Sequence, residues 1–143
     1  MAITSAIVAR LSASLTVPTN IIAAGSYISG ARDINRIMPA VGVIPGGAVL
    51  SGSGPHDGKA QKDTVTYWVV IVLPYIGDDE NHDYPEDTAE QYIHEVKQSL
   101  IGWAPGTGYQ TFAYAGEPEP EYDAGGFVKF AVTFESGRLT VGI

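Results

Sequence analysis

No cysteine occurs among the 143 residues. That excludes a disulfide framework, a thiol nucleophile and any cysteine-based zinc site. Histidine is nearly as scarce: His56, His82 and His94 are unclustered, and none sits at a useful ligand spacing from another. Cations are few as well, with 8 Lys and Arg against 16 Asp and Glu for a net charge of −8. A nucleic-acid grip needs a basic surface to displace counterions, so sequence-specific nucleic-acid binding is not expected. No apolar run approaches membrane-spanning length, and the opening MAITSAIVARLSASL has neither a basic n-region nor a long apolar core. These absences predict a soluble chain made in a cytoplasm, with no membrane partner.

What is present is one core's worth of apolar residues. The chain is 45% hydrophobic, enough for a single ordinary domain spanning residues 1–143. Its charge is unevenly spread. Residues 1–60 carry Arg10, Arg32, Arg36 and Lys59 against Asp33 and Asp57, a balance of +2, which leaves −10 for residues 61–143. Such polarity suits a surface that meets others in a fixed orientation, and solvated faces explain it nearly as well.

Periodicity predicts an α+β fold, a mixed and largely antiparallel sheet with two main helices packed on it. Thr4 or Ser5 is expected to cap a first helix whose Ile7, Val8, Leu11 and Leu15 form an apolar stripe ending before Pro18. Residues 17–38 read as a loop holding a brief strand or a turn of helix. Ala40 to Ile44 and Ala48 to Leu50 flank Pro45-Gly46-Gly47 and read as two short strands, or as one strand broken by a tight turn. Ser51 to Lys62, SGSGPHDGKAQK, has the composition of a mobile loop longer than most connections. Thr64 to Leu73, TVTYWVVIVL, alternates and then becomes continuously apolar, as a central strand covered on both faces should. Glu86 to Ile101 is an amphipathic helix with Ala89, Ile93, Val96 and Leu100 on one face, and Asp83 with Glu86 fits a capping box. Thr111 to Tyr114 and Phe127 to Phe134 are the last strands, the second with Val128, Phe130, Val132 and Phe134 on one face.

Several motifs invite a chemical reading. The glycines of LIGWAPGTGY, Leu100 to Tyr109, follow a helix, whereas a phosphate cradle precedes one; Gly102 and Pro105 are stop signals, and the lysine and Ser/Thr of a P-loop are missing. Asp79, Asn81, Asp83 and Glu90 match positions 1, 3, 5 and 12 of a calcium loop, but Tyr84 replaces the turn glycine and Pro85 follows, so no metal site is expected. Glu117, Glu119, Glu121 and Asp123 could supply paired carboxylates, yet the proline spacing keeps the backbone extended and the charges toward water. HEVKQ from His94 lacks the second histidine of a zinc helix. Ser51 and Ser53 lack the strand-to-helix elbow of a nucleophile. Trp103 reads as a lid on the core rather than a substrate platform. Nothing here specifies an enzyme or a cofactor.

The order of the pieces is more informative. PAVGVIP at Pro39 to Pro45, VTYWVVIVL at Val65 to Leu73 and SLIGWAP at Ser99 to Pro105 are followed by the aromatic strand YQTFAYAG, the acidic hairpin EPEPEYDAGG and the closing strand FVKFAVTFES. In that order, across about residues 4–138, the chain resembles the tail terminator family of long-tailed bacteriophages. The resemblance implies a structural virion protein, not an enzyme and without a cofactor. It implies a hexameric ring on the head-proximal end of the tail tube, assembled in the host cytoplasm, that ends tube polymerisation and offers a face to the head. The implied partners are its own copies, the tube protein and the head–tail connector. The long 51–62 loop departs from simpler members and is the candidate assembly loop, with Ser51, Gly54, His56, Asp57, Lys59 and Lys62 as its candidate contacts. Another phage neck or tail-completion protein of similar build, or a small calcium-binding module, remains as an alternative.

Overall fold

A computed structural model describes residues 2–23, 38–53, 59–75 and 85–142. Helix α1 (Ile3–Ser14) is followed by strands β1 (Asn20–Ala23), β2 (Ala40–Ser53) and β3 (Ala60–Pro74), helix α2 (Pro85–Leu100), and strands β4 (Ala113–Gly116), β5 (Glu121–Asp123) and β6 (Phe127–Val141). The strands form one mixed sheet in the order β1-β2-β3-β6-β4, with β5 also pairing β6. Only β1 and β2 run parallel; β2, β3, β4, β5 and β6 pair antiparallel. The α+β architecture expected from periodicity is the one observed.

The alternation along β3 and β6 decides where the core lies. Val69, Ile71 and Leu73 of β3 stand opposite Val132, Phe130 and Val128 of β6, and all six join Val41 and Val43 of β2 on the face that receives the helices. Helix α1 contributes Ile7 and Leu11, both fully buried, and α2 contributes Ala89, Tyr92, Val96 and Leu100. Val8, Leu15 and Ile93 pack at the margin of this cluster. On the opposite face a smaller cluster of Ala40, Val70 and Val72 is flanked by Met38, Ile44, Phe127 and Ala131. That second cluster is why the middle of β3 reads as continuously apolar.

Local chemistry agrees with most sequence signals, with corrections. Gly102 has φ +80 just beyond α2, the left-handed conformation that glycine adopts cheaply at a helix stop, and the Trp103 N–H donates back to the Leu100 carbonyl at 3.1 Å. Helix α1 begins at Ile3, so both expected caps, Thr4 and Ser5, lie inside it; Ala2 is its N-cap and makes no side-chain cap hydrogen bond. Gly106 lies close to the tip of Ile3, and the Thr4 and Tyr67 side chains are hydrogen-bonded to each other. Asp83, the other proposed cap, lies outside the described residues.

The strands run further than the sequence suggests. β2 does not stop at Ile44 or restart at Ala48; it passes through Pro45-Gly46-Gly47 as a bulge and continues to Ser53. β3 begins at Ala60 and β6 continues seven residues past Phe134 to Val141. The expected 51–62 loop is correspondingly shorter, because Ser51 to Ser53 belong to β2 and Ala60 to Lys62 to β3. β4 starts at Ala113, with Phe112 turned instead into a bridge with Ile101.

Candidate assembly surface

The three long strands outrun the helices. Val65 and Ser136 are the last buried residues of β3 and β6 in this direction. Beyond them Val49 to Ser53, Ala60 to Thr64 and Gly137 to Val141 form a three-stranded arm five residues long, about 16 Å at the usual strand rise. The pairing reaches Ser53 with Gln61, past a register shift between Leu50 and Gly52, and Ala60 with Val141. Val49 and Leu50 are both 71% exposed, Val141 is 63% exposed and Leu139 47%. A three-stranded ribbon that exposes Val49, Leu50, Leu139 and Val141 and has no covering layer among the described residues is unusual in a chain this small, and exposed apolar side chains in one place mark contacts with other molecules.

Register places the arm's side chains. Leu50 and Asp63 are partners, as are Asp63 and Arg138, so all three lie on the helix-side face. Arg138 donates to both carboxylate oxygens of Asp63, with its Nε at 3.0 Å, and its guanidinium sits 6.0 Å from the Tyr109 ring centre. The hydrogen bond from Arg138 holds the Asp63 carboxyl below the usual range, and the same bond raises the guanidinium. The pair ties β3 to β6 where no apolar layer does so. Below it the Ser136 hydroxyl donates to the Gln110 carbonyl at 2.6 Å, and the backbone of Gly108 and Gln110 bonds Leu139 and Gly137. A shallow groove of about 380 Å³ runs along this margin, lined by Lys62, Thr64, Gln110, Glu135 and Leu139 among others.

The other end of the same β6 edge is acidic. Lys97 of α2 meets Glu117 at 3.1 Å and stands 4.1 Å from the Tyr114 ring centre, while the Tyr114 hydroxyl donates to the same carboxylate. The bond to Glu117 raises both Lys97 and Tyr114. Tyr122 of β5 donates to Glu86 at the start of α2, which raises its phenol and clamps the hairpin to the helix. Glu119, Glu121 and Asp123 remain exposed. The expectation of an extended, solvated acidic stretch holds for these three, and Glu117 departs from it through Lys97.

The structure places the other sequence candidates as follows. Ser51 and Lys62 are exposed strand residues near the tip of the arm and Lys59 is exposed just before β3, whereas Gly54, His56 and Asp57 lie outside the described residues. Of the calcium-loop set, Glu90 is exposed on α2, and Asp79, Asn81 and Asp83 lie outside the described residues. His94 is exposed on α2. Trp103 packs against the core at 6.1 Å from Phe112, with the Arg10 guanidinium 5.6 Å from its ring, which fits a lid. Among the described residues no three His, Asp or Glu side chains converge as a metal set would. The Asp63–Arg138 pair had only one sequence signal, the period-two alternation of both strands, and that becomes a contact only once the register is known.

Comparison with known families matches the chain to the family model described as phage tail terminator protein over residues 1–140. A search of curated proteins finds no match.

Proposed function

The chain belongs to the phage tail terminator family and is a structural component of a phage tail, and from that premise we propose that it acts as one domain in a homohexameric ring capping the head-proximal end of the tail tube. The ring ends tube polymerisation and presents its other face to the head–tail connector. The observation that carries this reading is the family match over nearly the whole chain. The geometry is in keeping with it: such a task needs no reacting group, only one surface for neighbouring copies and another for the tube. Contacts between unlike surfaces of identical subunits close into a ring when the rotation per subunit allows it.

The arm and the connection at its tip are the part of the chain assigned to assembly, with Ser51, Gly54, His56, Asp57, Lys59 and Lys62 as contact residues. This connection contacts a neighbouring subunit or the tube, so that assembly selects its partner. The test is the mass and image of the protein on finished tails. Six copies of a 15.1 kDa chain give about 91 kDa at the tube's head-proximal end. Another copy number there, or a position elsewhere in the particle, overturns the ring. Replacing residues 54–58 with a Gly-Ser closure is expected to leave melting unchanged and to yield tails of irregular length; normal tails from that variant remove the loop from the proposal.

A further inference from the structure

We infer that the free edge of β2 takes the free edge of β4 from a second copy as an added strand, so that the sheet of one subunit runs on into the sheet of the next. The inference rests on the ring reading and supplies its subunit contact. β1 covers β2 only through Val43. From Ile44 to Ser53 β2 is bonded by β3 on one side and by no described strand on the other. Residues 45–51 are all exposed, so no described segment lies over them. Exposed edges are usually blunted by charge, by proline or by brevity, because unpaired N–H and C=O groups template further pairing. This edge is ten residues long, carries no charged side chain, and has its one proline near the start. Between its two bulges lies a regular run, Gly47 to Leu50, of four residues.

β4 is the matching edge. It is also four residues long, uncharged and mostly exposed, and it bonds β6 alone among the described strands. It lies on the opposite side of the sheet from β2, so joining the two is a head-to-tail contact that repeats around a ring, whereas β2 against β2 would stop at a dimer. Charge favours the same choice. Ile44 to Lys62 holds Lys59 and Lys62 against Asp57, net +1, while Ala113 to Asp123 holds Glu117, Glu119, Glu121 and Asp123, net −4 within the segment and −3 with Lys97 of α2 on Glu117. Unlike edges therefore attract and like edges do not.

The cysteine-free chain makes the test direct, since introduced thiols are the only ones. Val49 and Ala113 both face away from the helices and lie three strands apart within one chain, about 14 Å across the sheet, beyond the span of a disulfide. A disulfide in the Val49→Cys, Ala113→Cys double variant must therefore join two copies. Oxidation of finished tails is expected to give a covalent ladder reaching the hexamer on non-reducing gels, and neither single variant should give it. Val49→Lys with Leu50→Lys, at two exposed positions, is expected to melt like the parent and to lower ring occupancy at tube ends about tenfold. Six-copy rings that give no ladder, together with a double-lysine variant that assembles normally, overturn this contact and leave the ring standing. Dimers from Val49→Cys alone overturn it in favour of β2 against β2. One copy per tail overturns the ring and this contact with it.

Discussion

Two valines in the same sheet separate the part of the molecule that folds it from the part left for assembly. Val132 of β6 is fully buried among Val69, Phe130 and the helices, and Val49 of β2 is 71% exposed on the arm. Each Val→Ala change removes the same two methyl groups from a strand, so the intrinsic strand preference largely cancels in the comparison. At Val132 the loss combines a transfer term of about 1.6 kcal/mol with a cavity term, since the surrounding side chains close only partly, for a total of about 2–3 kcal/mol. At Val49 most of the side chain already faces water, and the expected loss is below about 0.5 kcal/mol. With an unfolding entropy of about 0.3 kcal/mol/K for a chain of this size, Val132→Ala should lower Tm by roughly 7–10 °C and Val49→Ala by less than about 2 °C. Thermal melts and urea titrations, both with unchanged m, are the assay. A Val49→Ala variant that melts as early as Val132→Ala would refute the division, because the arm would then be part of the folding core.

Three further outcomes are expected. Thr16 donates to Glu95 from both its backbone N–H at 2.7 Å and its hydroxyl at 2.6 Å, and these bonds lower the Glu95 pKa. A lowered carboxylate adds stability above its unfolded value and loses it as pH falls through the folded one, so stability should drop below about pH 4, and Glu95→Gln should melt with a shallower acid slope. Gly102→Ala meets no atom within 4 Å but must hold φ +80, so a loss of about 1–2 kcal/mol in urea titration is expected, and a smaller one for Gly102→Asn. Calorimetry with calcium is expected to show no saturable one-to-one isotherm; one that is lost in Asp79→Ala would restore the calcium loop.

Much of the core was legible because its signals are periodic and local. Val128, Phe130, Val132 and Phe134 alternate as a half-buried strand must, and all four lie in the main cluster. Ala89, Val96 and Leu100 follow the helical period, and Gly102 marks the helix end where it falls. What escaped depends on partners far away in sequence. Tyr92 and Ser99 are buried on α2 because α1 and the segment after it arrive there: the Ser99 carbonyl accepts from Arg10 at 3.0 Å. Asp63 and Arg138 are 75 positions apart and meet through register alone. The length of the arm was hidden for a different reason, since its residues are polar or isolated apolar ones and no core imposes a pattern on them. The arm is therefore the part of the candidate site that composition describes least.

The segment Pro45-Gly46-Gly47 shows how a turn signal can serve a continuous strand. Pro45 pairs Tyr67 and Gly47 pairs Thr66, so one residue of β2 is extra at this point. Pro45 and Ala48 both face the helix side although three positions separate them, and the partners of Ala48, Val49 and Leu50 follow without a gap. Gly47 has φ +95, and a Cβ at Gly46 would come to 3.1 Å from the Thr66 side chain, so glycine is favoured at both places for different reasons. A bulge bends its strand and increases the local twist. It stands where β2 leaves the cover of β1 and becomes a free edge, and so it sets the direction in which that edge points. Removing Gly46 deletes the extra residue while keeping each later pair and each side chain on its present face. The expected result is a protein whose Tm stays within a few degrees of the parent, because Val41, Val43 and their partners are untouched, but whose edge is aimed differently and no longer fits a neighbour. Native mass and electron microscopy of tail ends would read the assembly. A Gly46-deleted protein that caps tails of normal length would refute the claim that the bulge directs the edge.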